Sequence, residues 1–410
     1  MGKKSSYVVT YLLALATVFV TVSMVAYPKD AFDSAIQGLN LWWTVVFPAL
    51  LPFFILSELL MGFGVVHFIG VILEPLMRPV FNVPGVGAFA MSMGLASGYP
   101  MDAVITCKFR QENLCSAVEA ERLLSFTNTA DPLFMFGAVA VGMFGMPELG
   151  AVIALAHYLS SFLVGIIFRF YGRGRDVVRR REPASGGNIL FKAFKALYNA
   201  RQEDGRSLGN LLGESVKASM QTILLIGGFI ILFSVFIRIL NVVGITGAMT
   251  DFFETTLLLI GFSPNLAPSV VSGLLEIDIG TLAASQADAP LAEKVAVAGA
   301  IIAWSGLSVH GQVASIVISS GIRMVPYIIA RFLHAVIAGL LTLFFFKHAQ
   351  VFSGLFVLPV MHNLAQPSSL TFWLMRFEQV CYQLLILLAI FVTLSFAVHL
   401  ARNLSAYVKR

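Results

Sequence analysis

Residues 94–102 read GLASGYPMD. They lie within 84–106, an apolar run whose only charged side chain is Asp102. Two glycines and a proline interrupt a segment that is otherwise suited to cross a membrane, and both residue types break helices. Non-helical backbone at membrane depth is tolerated only where it is buried in protein or lines a wet cavity. The stretch therefore predicts the turn of a re-entrant or broken helix that faces the protein interior. The plainer reading is a span kinked at Pro100.

The surrounding chain supports a membrane setting. Of 410 residues, 58% are hydrophobic and 12% charged, against about 25% charged in soluble domains. Runs of roughly 20 apolar residues, the length of a spanning helix, occur at 7–27, 41–61, 123–145, 149–171, 218–240, 324–346 and 377–400. The segments 84–106, 242–279 and 295–320 are more ambiguous. The first run is too long for a signal-peptide core and lacks a small-residue cleavage site, so it reads as an uncleaved span. The expected class is an all-α polytopic membrane protein.

Several functions are excluded or disfavoured. No phosphate-cradling G-x-x-x-x-G-K-[ST] motif and no H-E-x-x-H zinc motif occur, and residues 94–98 do not match a nucleophile elbow. Cys107, Cys115 and Cys381 are too scattered for a disulfide framework or metal site. The expectation is therefore no catalytic residue, no cofactor, no metal and no nucleic-acid partner, with a homo-oligomer left open.

Positive charge sets the orientation. Residues 172–217 hold ten Lys/Arg against five Asp/Glu, as cytoplasmic loops do. Within them Ile189, Leu190, Phe191, Phe194, Leu197 and Tyr198 recur at helical spacing, predicting an amphipathic helix on the membrane surface. Lys3 and Lys4, and Lys409 and Arg410, put both termini inside. An even number of crossings is then needed before residue 172. The runs at 7–27, 41–61, 123–145 and 149–171 supply four, so 84–106 is expected to enter and leave on one side.

The chain also repeats at an offset of about 180 residues. FNVP at 81–84 faces GFSP at 261–264, GLAS at 94–97 faces GLLE at 273–276, and SFTNT at 125–129 faces WSGLS at 304–308. Counting crossings makes the halves inverted, with a re-entrant or broken-helix hairpin in each. The expected divisions are 1–40, a first repeat at 41–171, a basic loop at 172–217, a second repeat at 218–346, and an outer linker with a final helix at 347–410. Inverted repeats with interrupted helices mark secondary transporters, whose sites lie where the broken ends meet.

Four polar clusters stand in these apolar surroundings: Ser97, Gly98, Tyr99 and Asp102; Thr127, Asn128, Thr129 and Asp131; Glu276 and Asp278; and Ser305, Ser308, His310 and Gln312. Hydroxyls, amides and free helix-start N–H groups suit a small polar or anionic solute. Asp102, Asp131, Glu276 and Asp278 are the candidates for coupling transport to H⁺ or Na⁺. Structural roles compete at each: an interfacial place for Asp102, a helix cap for Asp131 before Pro132, packing for His310, and helix back-bonds for Ser and Thr.

At SGYPMDA (97–103), LLSFTNTADPLF (123–134), GLLEID (273–278) and SGLSVHGQVAS (305–315) the chain resembles the nucleoside-recognition Gate-domain proteins of endospore formation, relatives of the concentrative nucleoside transporters. The likeness runs from Tyr7 to about Phe346. It implies one central site formed by the paired hairpins and interrupted helices. It also implies movement of dipicolinic acid, a pyridine with two carboxylates, across the outer forespore membrane. A nucleoside or other small-solute transporter, and a membrane scaffold needed for spore assembly, are the alternatives.

Overall fold

A computed structural model describes residues 3–172 and 189–348. The final expected span at 377–400, the linker before it and part of the basic loop lie outside the described residues. The helices are α1 (Lys3–Ala26), α2 (Pro28–Leu41), α3 (Phe47–Gly62), α4 (Val65–Phe81), α5 (Gly87–Ser97), α6 (Met101–Gln111), α7 (Ala117–Thr127) and α8 (Leu149–Phe168). They continue as α9 (Ile189–Asp204), α10 (Leu208–Val242), α11 (Ile245–Leu259), α12 (Ala267–Leu275), α13 (Ile277–Gln286), α14 (Leu291–Trp304), α15 (Gly306–Val317) and α16 (Met324–Lys347). A wide-turned π-helix spans Leu133–Met143, and no strand occurs among the described residues.

Among the described residues four helical stretches are long and apolar enough to span a bilayer: Leu149–Phe168, Leu208–Val242, Leu291–Ser320 and Met324–Lys347. A fifth is formed if Phe54–Gly62 and Val65–Phe81, bent by 81°, are counted together. With these apolar helices the protein is an integral membrane protein. Its α10 has 35 residues, about 52 Å at 1.5 Å per residue, longer than the roughly 30 Å hydrocarbon layer.

Element order recurs. Gly64 (φ +78°) and Gly244 (φ +84°) are left-handed residues that start α4 and α11. Each is followed by a helical hairpin, α5–α6 or α12–α13, then an interrupted helix, then the long α8 or α16. Packing between the halves is reciprocal. α6 packs on α15 while its counterpart α13 packs on 133–143; α7 packs on α16 while α14 packs on α8; and α8 meets α16. The contacts between α6 and α15 and between α7 and α16 thus each have a counterpart.

The hairpin at 84–106 turns where expected, at Gly98–Pro100. The run 123–145 is not the continuous span expected of it. Helix α7 stops at Thr127, residues 128–131 are non-helical, and the chain resumes at Leu133. Pro132 explains the restart, because proline lacks the N–H that a continuing helix needs and favours helix beginnings. The expected amphipathic helix is α9. One side of it packs against α4, with the Phe68 and Phe194 rings 5.0 Å apart.

Candidate functional site

The first hairpin tip is shaped by Gly98 at φ +70°. A Cβ there would lie 2.7 Å from Asp131 Oδ2, so glycine answers both to conformation and to space. Asp131 Oδ1 accepts the Phe134 N–H at 2.9 Å and caps Leu133–Met143. Tyr99 donates its hydroxyl to the Ile302 carbonyl at 2.8 Å, fastening the tip of one half to the last turn of α14 in the other. The Ser97 side chain lies outside the described residues.

Behind that tip, Asp102 is fully buried. It accepts from Asn128 Nδ2 at 2.8 Å and from Thr127 Oγ1 at 3.1 Å. Asn128 Oδ1 in turn accepts the Tyr327 hydroxyl at 2.9 Å. Asp102 is thus an interior residue and not an interfacial partner of Lys108, which instead pairs with Glu58. Thr129 donates to the Thr127 carbonyl at 3.3 Å.

The second half is built on the same plan. Helix α12 ends at Leu275, and Glu276 is extended (φ −150°, ψ 134°). Its carboxylate accepts the Ile279 N–H at 2.9 Å and caps α13, with Asp278 in the first turn. Gly306 lies against this tip; a Cβ on it would sit 3.0 Å from Glu276 Cα. Ser305 adopts the left-handed conformation at φ +70°, interrupting α14 and α15. Trp304 donates to the Leu274 carbonyl at 3.0 Å.

Three interrupted helix starts carry a carboxylate from the chain itself: Asp102 in α6, Asp131 before 133–143, and Glu276 with Asp278 at α13. The start of α15 has neither an acidic residue in its first turn nor a side-chain cap. Ser308 Oγ and His310 Nε2 belong to this helix and are buried without a hydrogen-bond partner. His310 Nδ1 lies 2.7 Å from the Gly306 carbonyl, which only accepts, so Nδ1 carries a proton, and Nε2 accepts in the neutral ring or donates to an anion in the protonated one. The His310 ring lies 4.3 Å from Trp304 and 5.1 Å from Tyr327, and Gln312 is buried one helical turn past Ser308.

Sequence reasoning missed Arg331, His334, His157 and Tyr327. Arg331 is fully buried; it donates to the Asn128 carbonyl, to the Ser125 carbonyl at 2.5 Å and to His334 Nδ1 at 2.9 Å. His334 Nε2 then donates to the His157 carbonyl at 2.9 Å, and His157 Nε2 accepts the Ala130 N–H at 3.0 Å. Arg331 and His157 thus satisfy backbone groups at the unwound segment, which has no water at that depth to turn to, while His334 holds Arg331 and Tyr327 holds the Asn128 side chain. A lone Arg or His in an apolar run was the available signal.

Toward the arginine-rich end, Glu121 of α7 ties the halves together. Both its oxygens accept from Arg323: Oε1 from Nε at 2.7 Å, and Oε2 from Nη2 at 2.9 Å. Tyr171 adds a hydroxyl at 2.9 Å. The residue before α8 that corresponds to Arg323 is Glu148, which is exposed. A separate cavity of about 150 Å³ lies beside Thr127 and Thr129; Met91, Leu95, Phe126 and Phe162 make its wall mostly apolar. No group of three or more potential metal ligands occurs among the described residues.

Residues 43–173 match the Gate family, described as nucleoside recognition. The chain is also 46% identical over 338 residues to the sporulation integral membrane protein YlbJ of Bacillus subtilis (strain 168), covering 82% of this chain and 83% of that protein. The chain belongs to the YlbJ family of sporulation integral membrane proteins. No solved structure matches it. The Gate match takes in the first hairpin, the break at 128–131 and α8, so the network around Asp102 and Asn128 falls within the family's characteristic segment.

Proposed function

We propose that this protein is a secondary transporter of a small anionic solute, with dipicolinic acid the first candidate. Two oppositely oriented halves, with both termini cytoplasmic, would expose a shared centre to each side in turn. The observation that carries the proposal is the start of α15. It is the interrupted helix start without a carboxylate of its own, and Ser308 and His310 belong to its first two turns. Free N–H groups at a helix start attract anions, and a carboxylate of the solute would stand where Asp131 and Glu276 stand at the other starts. Ser305, Tyr99 and Gln312 complete the polar lining. Glu276, two residues from Asp278, is the carboxylate best placed to couple transport to H⁺ or Na⁺, whereas Asp131 serves as a cap.

The relative is a sporulation integral membrane protein; an outer forespore membrane location and dipicolinate as cargo are this proposal's extension of that role. The nucleoside-recognition description of the Gate match favours a nucleoside as the second reading. Ligand-dependent melting of the purified full-length protein separates them. A solute held only by the folded state stabilises it by about 2.7 kcal/mol at a hundredfold its dissociation constant. Dipicolinate is expected to raise the melting temperature, and Ser308→Ala with His310→Ala to erase the rise. Stabilisation by nucleosides alone transfers the proposal to that class; none by any anion or nucleoside rejects it. In proteoliposomes Glu276→Gln is expected to stop uptake while the protein still inserts.

A further inference from the structure

Helix α9 sits apart from the central site. Its inner side is settled against the α3–α4 elbow: Ala193 is buried, the Leu197 carbonyl closes on Gly64, and the Arg201 guanidinium lies 5.7 Å from the Phe63 ring. Its outer side is another matter. Phe191 is 73% exposed, Phe194 61% and Tyr198 62%. At 100° per residue these three fall within an arc of about 60°, an aromatic ridge whose Phe194 edge also touches Phe68 of α4, the rings 5.0 Å apart. Lys195 and then Lys192 follow on the flank away from α4.

The charge on this helix has one sign where it matters. Residues 189–202 contain Lys192, Lys195 and Arg201 and no acidic residue. Glu203 and Asp204 come only at the end, and Asp204 is taken up by Arg201 at 3.0 Å and Arg206 at 2.5 Å. Three residues on, α10 presents Leu208, Leu212 and Val216, all exposed and spaced one turn apart. This apolar row leads directly into the spanning part of α10. The exposed surface beside α9 is therefore continuous with the surface that faces lipid, which identifies its occupant as the bilayer and not a second protein.

We propose that α9 docks on an anionic phospholipid surface, with Phe191, Phe194 and Tyr198 among the acyl-chain ends and Lys192 and Lys195 on the phosphates. A basic helix with an aromatic ridge and low overall hydrophobicity binds in this way. Because its inner side backs Gly64, a docked α9 also fixes the elbow from which α4 departs. The assignment is independent of which solute the centre carries.

The test uses the full-length protein carrying Phe191→Cys, labelled with a polarity-sensitive fluorophore. It is reconstituted in vesicles of phosphatidylcholine, with or without phosphatidylglycerol. The label is expected to report an apolar setting, more so with phosphatidylglycerol. A brominated lipid should quench it. Each basic side chain near an anionic surface is worth about fivefold in affinity, so Lys192→Gln with Lys195→Gln should remove the phosphatidylglycerol preference. Glycerol phosphate in solution should have no effect. A water-exposed label in both vesicles overturns the proposal. So does a signal that follows protein-to-lipid ratio, which would indicate a second copy, or one that soluble phosphate reproduces. A lipid preference that survives the double substitution overturns it as well.

Discussion

Residues 128–131 and Ser305 interrupt helices at corresponding places, yet the two breaks are finished differently. In the first half the unwound backbone is bound on all sides: Arg331 takes the Ser125 and Asn128 carbonyls, His157 takes the Ala130 N–H, and Asp131 caps the restart. In the second half the break is a pair of left-handed residues, Ser305 and Gly306, and the helix beyond it begins without a cap. One break is a framework, and under the proposed function the other is a receptor. Two copies of one plan can divide labour when one invests its polar groups in itself and the other leaves them for a guest.

The largest expected effect tests the framework. Arg331→Met leaves the carbonyls of Ser125 and Asn128 and Nδ1 of His334 without their donor, each buried orphan costing about 1–3 kcal/mol. The variant should fail to accumulate in membranes or melt far below the parent, whereas Ser308→Ala should melt as the parent does. Equal losses in both would erase the contrast between the halves.

A smaller effect concerns the ends. Glu121 and Arg323 latch α7 to α16, while the corresponding Glu148 is exposed and offers no such clasp. Hydrogen bonds to charged groups contribute about 1.5–3 kcal/mol, and the exposure of Arg323 places this pair at the low end. Arg323→Ala should admit a membrane-impermeant thiol reagent to Ser305→Cys from the arginine-rich side, with only a modest fall in melting temperature. Labelling that is no faster than in the parent would show that the latch does not gate.

The smallest lies outside both halves and serves as their control. Hydrogen bonds from Arg206 hold the Asp204 carboxyl below its ordinary range. A depressed carboxyl contributes stability above its unfolded pKa, near 4, and loses it as pH falls through the lower folded value. Asp204→Asn should therefore melt slightly below the parent at neutral pH and together with it in strong acid. A gap that persists in acid would point to packing and not charge.

The fold's interruptions were legible where breakers were dense. GLASGYP carries two glycines and a proline, and GLLEIDIG pairs glycines with carboxylates, so both hairpins could be placed. The break at 128–131 was half hidden because its apolar flanks and the parity of crossings argued for one span; Asp131 before Pro132, readable as the cap of a new helix, spoke against it. Arg331 and His334 went unread for another reason. Both lie in the apolar run 324–346, and their roles depend on backbone groups some 200 residues away in sequence: 203 for the Arg331–Asn128 contact and 177 for the His334–His157 contact. Local pattern can mark a charge in a membrane helix, but tertiary contact alone says what that charge is for.

Four carboxylates, Asp102, Asp131, Glu276 and Asp278, already stand at three of the interrupted helix starts, and this has an effect on counting. Under the proposed function they leave room for one guest anion per molecule, held by one of its carboxyl groups at α15, so a dianion must find its second partner elsewhere. Replacing Asp131 by alanine would remove both cap and charge, creating a second vacancy of the same kind. A shift from one to two bound anions per chain would then reveal selectivity achieved by prior occupancy.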